Sequence, residues 1–224
     1  MPLHAVEVLD TSIFEQLPEF TKRLRWFLRH RPDLASLVSR WTERGSGERH
    51  LLSLLRGHRT KCLLRRMLDP AEFLSEYGVR ALSKYHEAHP YVLDHNGARF
   101  SVSYAPGESN SRQFGGNSNW RGSIWMPVNY LLIESLYRFH QYYGDDFRIE
   151  CPTGSGRLLS LREIADELKR RLCALFLCGP SGRRPVFGDS AVMQQDATFR
   201  DHIVFHGYFH GDTGRGLGAS HQTG

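Results

Sequence analysis

Two indoles, one guanidinium and three amides share the stretch from Gly115 to Tyr130: Trp120, Trp125, Arg121, Asn117, Asn119 and Asn129. Together they suit a neutral polyol such as a sugar. Indole faces pack on C–H patches, while Arg and Asn make directional hydrogen bonds to hydroxyls. Gly115, Gly116 and Gly122 allow the backbone to approach a ligand closely. The competing reading is a packed loop whose tryptophans belong to the core.

A second chemistry-bearing run lies near the end of the chain, from His206 to Gly218. His206 and His210 are four apart, which on a helix would put both imidazoles on one face, as zinc sites use. A His-Glu-x-x-His arrangement would need its Glu at position 207, which is Gly207, and no third ligand is apparent. No metal or cofactor is expected. The run Gly214-Arg215-Gly216-Leu217-Gly218 lacks the Gly-Lys-Ser/Thr ending and the preceding strand of a phosphate loop. Among the carboxylates, Glu108 lies in the loop before the tryptophans and could reach a ligand hydroxyl. Glu134 reads as a partner for an Arg, and Asp145-Asp146 as a hydrated turn.

The elements that must position these groups read as helices with one irregular middle. Ile13, Leu17, Phe20, Leu24, Phe27 and Leu28 recur at helical spacing, with Pro18 tolerable near a helix start. Arg31-Pro32 ends that helix, and a short one is expected from Leu34 to Trp41. A leucine-rich helix is expected from Leu51 to Met67, weakened at Gly57. Asp69-Pro70-Ala71-Glu72 has the form of another helix start. Between Tyr91 and Tyr104 the period drops to two, with Asn96-Gly97 as a hairpin turn. Leu132, Leu136, Phe139 and Tyr143 form a helical stripe ended by Gly144. Ser160-x-x-Glu163 opens a further helix with Leu161, Ile164, Leu168, Leu172 and Leu175 inward.

The segment Asn119-Trp120-Arg121-Gly122-x-x-Trp125, followed by Asn129-Tyr130-Leu131-Leu132, resembles the signature of glycoside hydrolase family 63. That family includes processing α-glucosidases and mannosylglycerate or glucosylglycerate hydrolases. The run from Tyr208 to Gly224 is similar to the family's second site loop, and Tyr77-Gly78-Val79-Arg80-Ala81-Leu82-Ser83 to a third segment. The resemblance implies an all-α fold, here part of an (α/α)6 toroid with a small β-hairpin insertion near 91–104. It implies a single partial domain over 1–224, truncated at both ends.

It also implies an inverting hydrolase of α-glucosidic or related bonds. Such enzymes pair a carboxylic acid with a water-activating carboxylate roughly 6.5–9.5 Å away. By the same resemblance the base position is Gly207, and the acid would lie before Met1. Trp120 and Trp125 would wall a pocket, Arg121 and Asn129 would hold hydroxyls, Tyr208 would border the water, and Asp212 would bind ligand or order its loop. The ligand would be an oligosaccharide or small glucoside, with the remainder of the toroid as a partner. Without both carboxylates the chain alone would be inactive. The alternative is a non-catalytic sugar-binding or helical interaction protein.

Composition bounds the rest. The 224 residues carry a net charge of +5, 40% hydrophobic and 12% aromatic residues. No apolar run approaches the ~18 residues of a membrane span, and the start of the chain lacks a signal-peptide layout. Cys62, Cys151, Cys173 and Cys178 have no Cys-x-x-Cys spacing, so reduced thiols in a cytoplasmic protein are expected. Basic clusters such as Lys22-Arg23-Leu24-Arg25 are interrupted by leucines at helical spacing. They read as solvated helix faces, with neither nucleic acid nor membrane as partner.

Overall fold

A computed structural model describes residues 2–37, 43–55, 57–109 and 119–220. In chain order its elements are β1 (Val6–Leu9), α1 (Ile13–Gln16), α2 (Pro18–His30), α3 (Pro32–Ala35), β2 (His50–Ser53) and α4 (Gly57–Met67). Then come β3 (Leu74–Ser75), β4 (Gly78–Val79), β5 (Tyr91–His95), β6 (Ala98–Val102) and α5 (Met126–Tyr143). The last are β7 (Arg148–Glu150), β8 (Leu158–Ser160), α6 (Leu161–Ala174), α7 (Ala191–Gln195), β9 (His206–Phe209) and β10 (Gly216–Ser220). The chain divides into two compact units. Unit 1 is Met1–Arg65, Leu131–Cys151 and Ser155–Ala165; unit 2 is Arg66–Tyr130, Pro152–Gly154 and Asp166–Gly224.

The expected all-α fold, a partial (α/α)6 toroid, does not form. About 40% of the chain is helix and 19% strand, and the strands make five antiparallel pairs. The first cause is visible in unit 1. Leu51 and Leu52 were expected inside a helix, but β2 pairs with β1 from Val6↔Ser53 to Leu9↔His50. Val6 and Val8 supply β-branched residues that favour this pairing over a helix. Gly57 then sits at the start of α4, where a glycine costs less than in a helix interior.

Within unit 1, Pro18 occupies the first position of α2, and the chain breaks at Leu17 before it. Its missing N–H is an orphan there in any case. The helix expected at Leu34–Trp41 begins earlier, as α3, and residues 38–42 lie outside the described ones. Tyr143 ends α5, and the Gly144 N–H donates to the His140 carbonyl at 2.8 Å. The start of α6 carries the expected reciprocal cap. The Ser160 N–H donates to Glu163 Oε2 at 2.7 Å, and the Glu163 N–H donates to Ser160 Oγ at 3.3 Å. Leu3, Leu51, Leu64, Leu136, Phe139 and Leu161 are among its buried apolar side chains.

Unit 2 holds the tryptophan region. Asp69-Pro70-Ala71-Glu72 forms a turn instead of the expected helix start. Asp69 Oδ1 accepts the Ala71 N–H at 2.8 Å, and the β3–β4 pair follows almost at once. An Asx turn of this kind competes directly with a helical N-cap. The hairpin expected near 91–104 is present as β5–β6, with five paired positions from Tyr91↔Val102 to His95↔Ala98. Asn96 and Gly97 both take positive φ, 50° and 76°, as a two-residue turn between twisted strands requires.

Candidate functional site

Ile124 organises the region. It exchanges both backbone hydrogen bonds with Phe209, at 2.8 and 2.9 Å, and forms a second antiparallel bridge with Arg80. Antiparallel register then places Trp125 opposite Tyr208. Side chains alternate across such a pairing, so Ile124 and Phe209 share one face, both fully buried, and Trp125 and Tyr208 share the other. Their rings stack at 5.1 Å with 22° between planes.

Trp120 extends the column. Its indole lies 4.1 Å from that of Trp125, within 2° of parallel. Trp125 is buried and donates from Nε1 to the Asn119 carbonyl at 2.9 Å. Trp120 is 45% exposed. The column Tyr208–Trp125–Trp120 therefore ends in an open indole face held flat from behind. Stacked pairs of this kind contribute about 0.5–1.5 kcal/mol beyond their area burial.

Asn119 ties the loop together. Its Nδ2 donates to the carbonyls of Ala105 and Gly107, and its Oδ1 accepts the backbone N–H and Nε of Arg121. Arg121 is buried, and its Nη2 makes a 3.4 Å bond to Ser109 Oγ. It has no carboxylate partner among the described residues. The guanidinium is thus anchored at Nε by Asn119. Gly122 lies against the Tyr104 ring at φ 129°, where a Cβ would collide with the aromatic carbons.

Asn129 is placed differently from its expected role. It is buried, its Oδ1 accepts the Val79 N–H at 2.7 Å, and its Nδ2 donates to the carbonyls of Val79 and Trp125. Its amide completes a strand-like pair with Val79 and fastens the first turn of α5. That geometry positions Trp125.

Asp212, expected to bind ligand or order its loop, gathers a network of partners that are distant in sequence. Its Oδ1 accepts from Arg80 and from the Tyr104 hydroxyl, each at 2.9 Å, with Lys84 Nζ at 3.6 Å. Burial raises the Asp212 pKa, but the bonds from Arg80 and Tyr104 and the charges of Arg80 and Lys84 outweigh it, and the net shift is downward. Burial pushes the Tyr104 phenol well up, partly opposed by the charge of Arg80. The sequence signals for this cluster were Asp212 itself and the segment 77–83, in which Arg80 is a lone cation among apolar residues.

The histidines do not face a common helix. His206 lies in β9, and His210 Nδ1 accepts the backbone N–H groups of Asp212 and Thr213 at 3.1 and 3.3 Å. Burial lowers the His210 pKa, so its ring caps this turn in the neutral form. Among the described residues no three His, Cys, Asp or Glu side chains converge as metal ligands.

Residues 51–151 match the family model described as the glycosyl hydrolase family 63 C-terminal domain. The match supports a relation to that family. It spans Trp120, Arg121, Trp125 and Asn129. The chain is also 50% identical, over its whole length, to "Uncharacterized protein YMR196W" of Saccharomyces cerevisiae, of which it covers 21%. The chain therefore spans about a fifth of that relative's length.

At the position before Tyr208, Gly207 lies in β9 with a backbone any residue can adopt. A Cβ there would find its nearest neighbour, the Ala219 carbonyl, 3.8 Å away. The Tyr208 hydroxyl donates to Glu108 Oε2 at 2.8 Å. Burial, then the bond and charge of Glu108, raise the Tyr208 pKa well above the ordinary phenol value. Glu108 lines two adjoining clefts of about 730 and 450 Å³, which also share Arg215. The Gly115–Ser118 part of the expected binding loop and residues 221–224 lie outside the described residues. No described helix is long and apolar enough to cross a membrane.

Proposed function

We propose that this chain carries a sugar-binding face of the glycoside hydrolase family 63 kind, and that by itself it binds an α-glucoside-type ligand without hydrolysing it. The observation that carries the reading is the column Tyr208–Trp125–Trp120, whose outer indole is half exposed and is followed in the chain by a buried Arg121 with no carboxylate partner among the described residues. A flat apolar face beside an anchored donor fits a pyranose, which offers C–H patches and hydroxyls together.

Inverting hydrolysis needs one carboxyl as acid and one as base. Gly207 supplies neither. Asp212 is held as the anion by Arg80, Tyr104 and Lys84, so it has no proton to give near neutrality. Glu108 is one carboxylate, and it already accepts from Tyr208. Loss of general-base help alone costs ~10²–10⁴ in rate.

The test is a thermal melt of the purified chain followed by tryptophan fluorescence, with and without millimolar glucose and maltose. A ligand that binds only the native state raises the transition. The expected result is a rise for the wild-type chain, none for Trp120→Ala, and no glucose released from an α-glucoside by either. A ligand-blind transition in the wild type, or equal shifts in both proteins, defeats the binding reading. Hydrolysis faster than the Trp120→Ala control defeats the inactivity reading.

A further inference from the structure

Helix α2 in unit 1 is held to its surroundings by little. Thr21 is its one buried residue, hydrogen-bonded to the carbonyls of Phe14 and Leu17. One side of the helix carries Leu24, Phe27 and Leu28, all half-buried. The other lines a groove of about 450 Å³ together with Phe14. Into that groove the helix sends Lys22, Arg25, Arg29 and Trp26, and no carboxylate lines it. Trp26 is 58% exposed, with His30 stacked on its ring at 4.8 Å. Lys22, Arg25 and Arg29 have no ion-pair partner among the described residues; the acids of the neighbouring turns, Glu15 and Glu19, stand outside the lining.

We infer that this groove is a docking site for an acidic amphipathic helix. The occupant's chemistry follows from the lining. Cations at positions 22, 25 and 29 of a helix rise about 4.5 and 6 Å along the axis. Carboxylates spaced i, i+3 and i+7 on a second helix match them, and an apolar side chain between them fills the space bounded by Phe14, Pro18 and Trp26. This is recognition by a helix laid in a groove. A bilayer fits less well, because an interfacial helix separates its charges from its apolar face, whereas Trp26 shares a concave lining with all three cations. Polypeptide is also the occupant at hand in the yeast relative, where about four fifths of the length lies beyond the aligned segment. The inference concerns unit 1 and does not depend on the sugar-binding reading.

Three labelled probes test it by fluorescence anisotropy and co-sedimentation with the intact chain. They are a helical peptide with Glu at i, i+3 and i+7 and Leu between, an oligouridine, and phosphatidylserine vesicles. The expected result is saturable peptide binding at low salt that weakens as salt rises. The Lys22→Gln/Arg25→Gln/Arg29→Gln variant should bind the peptide about tenfold more weakly, each lost pair being worth about two- to threefold. Trp26→Ala should weaken it as well. If the triple variant loses the wild-type melting transition, Arg25→Gln alone replaces it, with a loss of about two- to threefold expected. The inference is overturned by absent or unsaturable peptide binding, by full affinity in the Gln variants, or by tighter binding to oligouridine or vesicles than to the peptide.

Discussion

Replacing Asp212 tests the electrostatic frame beneath the proposed site. The Arg80 side chain is 7% exposed and that of Asp212 29%. Removing one partner of a fully buried pair costs about 3–5 kcal/mol, because the other charge stays buried alone. Here Arg80 keeps a 2.7 Å bond to the Leu74 carbonyl and Asp212 is partly open to water. We therefore expect Asp212→Ala to cost about 2–3 kcal/mol, and Asp212→Asn, which keeps one acceptor, about 1–2 kcal/mol. Urea unfolding followed by circular dichroism at neutral pH measures both. The pH dependence has a fixed sign. The folded pKa of Asp212 lies below its unfolded value, so its stabilisation is complete above the unfolded pKa and is lost as pH falls through the folded one. The gap between wild type and Asp212→Asn should be constant near neutrality and narrow as the pH drops below the ordinary Asp range. A gap that stays level into that acid range, or an Asp212→Ala cost under about 0.5 kcal/mol, would refute the reasoning.

Three further outcomes are expected. Asn129→Leu should destabilise by about 2–3 kcal/mol, since it removes the amide partners of the Val79 N–H and carbonyl, while the Trp125 carbonyl keeps the backbone N–H of residue 129; thermal melting reads this directly. Glu108→Gln should bring the Tyr208 phenol back toward its ordinary pKa, because the bond and charge of Glu108 add to burial in raising it; ultraviolet titration against Tyr208→Phe isolates the change. Gly207→Glu should melt within about 1 kcal/mol of wild type, whereas Gly216→Ala, whose Cβ would strike the His206 ring, should lose about 1–3 kcal/mol to overpacking.

What could be read in the sequence was local. The Asn96-Gly97 hairpin, the Ser160/Glu163 cap and the end of α5 at Gly144 each follow from a few adjacent residues, and each stands as expected. The fold class was not legible in this way. The missed strands are only two to five residues long; β1 pairs with the distant β2, while β3–β4, β7–β8 and β9–β10 are local pairs too short to show a period of two. A leucine doublet such as Leu51-Leu52 carries no period that separates strand from helix. The same limit applied to the site. Trp120 and Trp125 declared themselves by type, but the Asp212–Arg80 and Tyr208–Glu108 contacts join residues 132 and 100 positions apart. Asn129 was legible as a polar residue near the tryptophans, and only the register of Val79 reveals that its amide completes the backbone.

The glycines of the closing segment separate structural demand from chemical consequence. At Gly211 a Cβ would meet the Gly122 carbonyl, and at Gly216 the His206 ring. Those positions are small because the backbone and rings beside them leave no room. Gly207 is different: its nearest neighbours stand 3.8–3.9 Å from where a Cβ would sit, and its φ is not positive. Neither backbone geometry nor packing therefore asks for glycine at 207, although glycine is entropically costly in a strand. Gly207 stands at the irregular stretch of the β9–β10 pairing, between Leu217↔Tyr208 and Ser220↔His206, with room for a Cβ, so a carboxylate could be introduced there without rebuilding the fold. On the proposed reading, the absence of a side chain at 207 costs the site chemistry and leaves its architecture intact. Gly207→Glu is thus the substitution that can separate loss of catalysis from loss of structure.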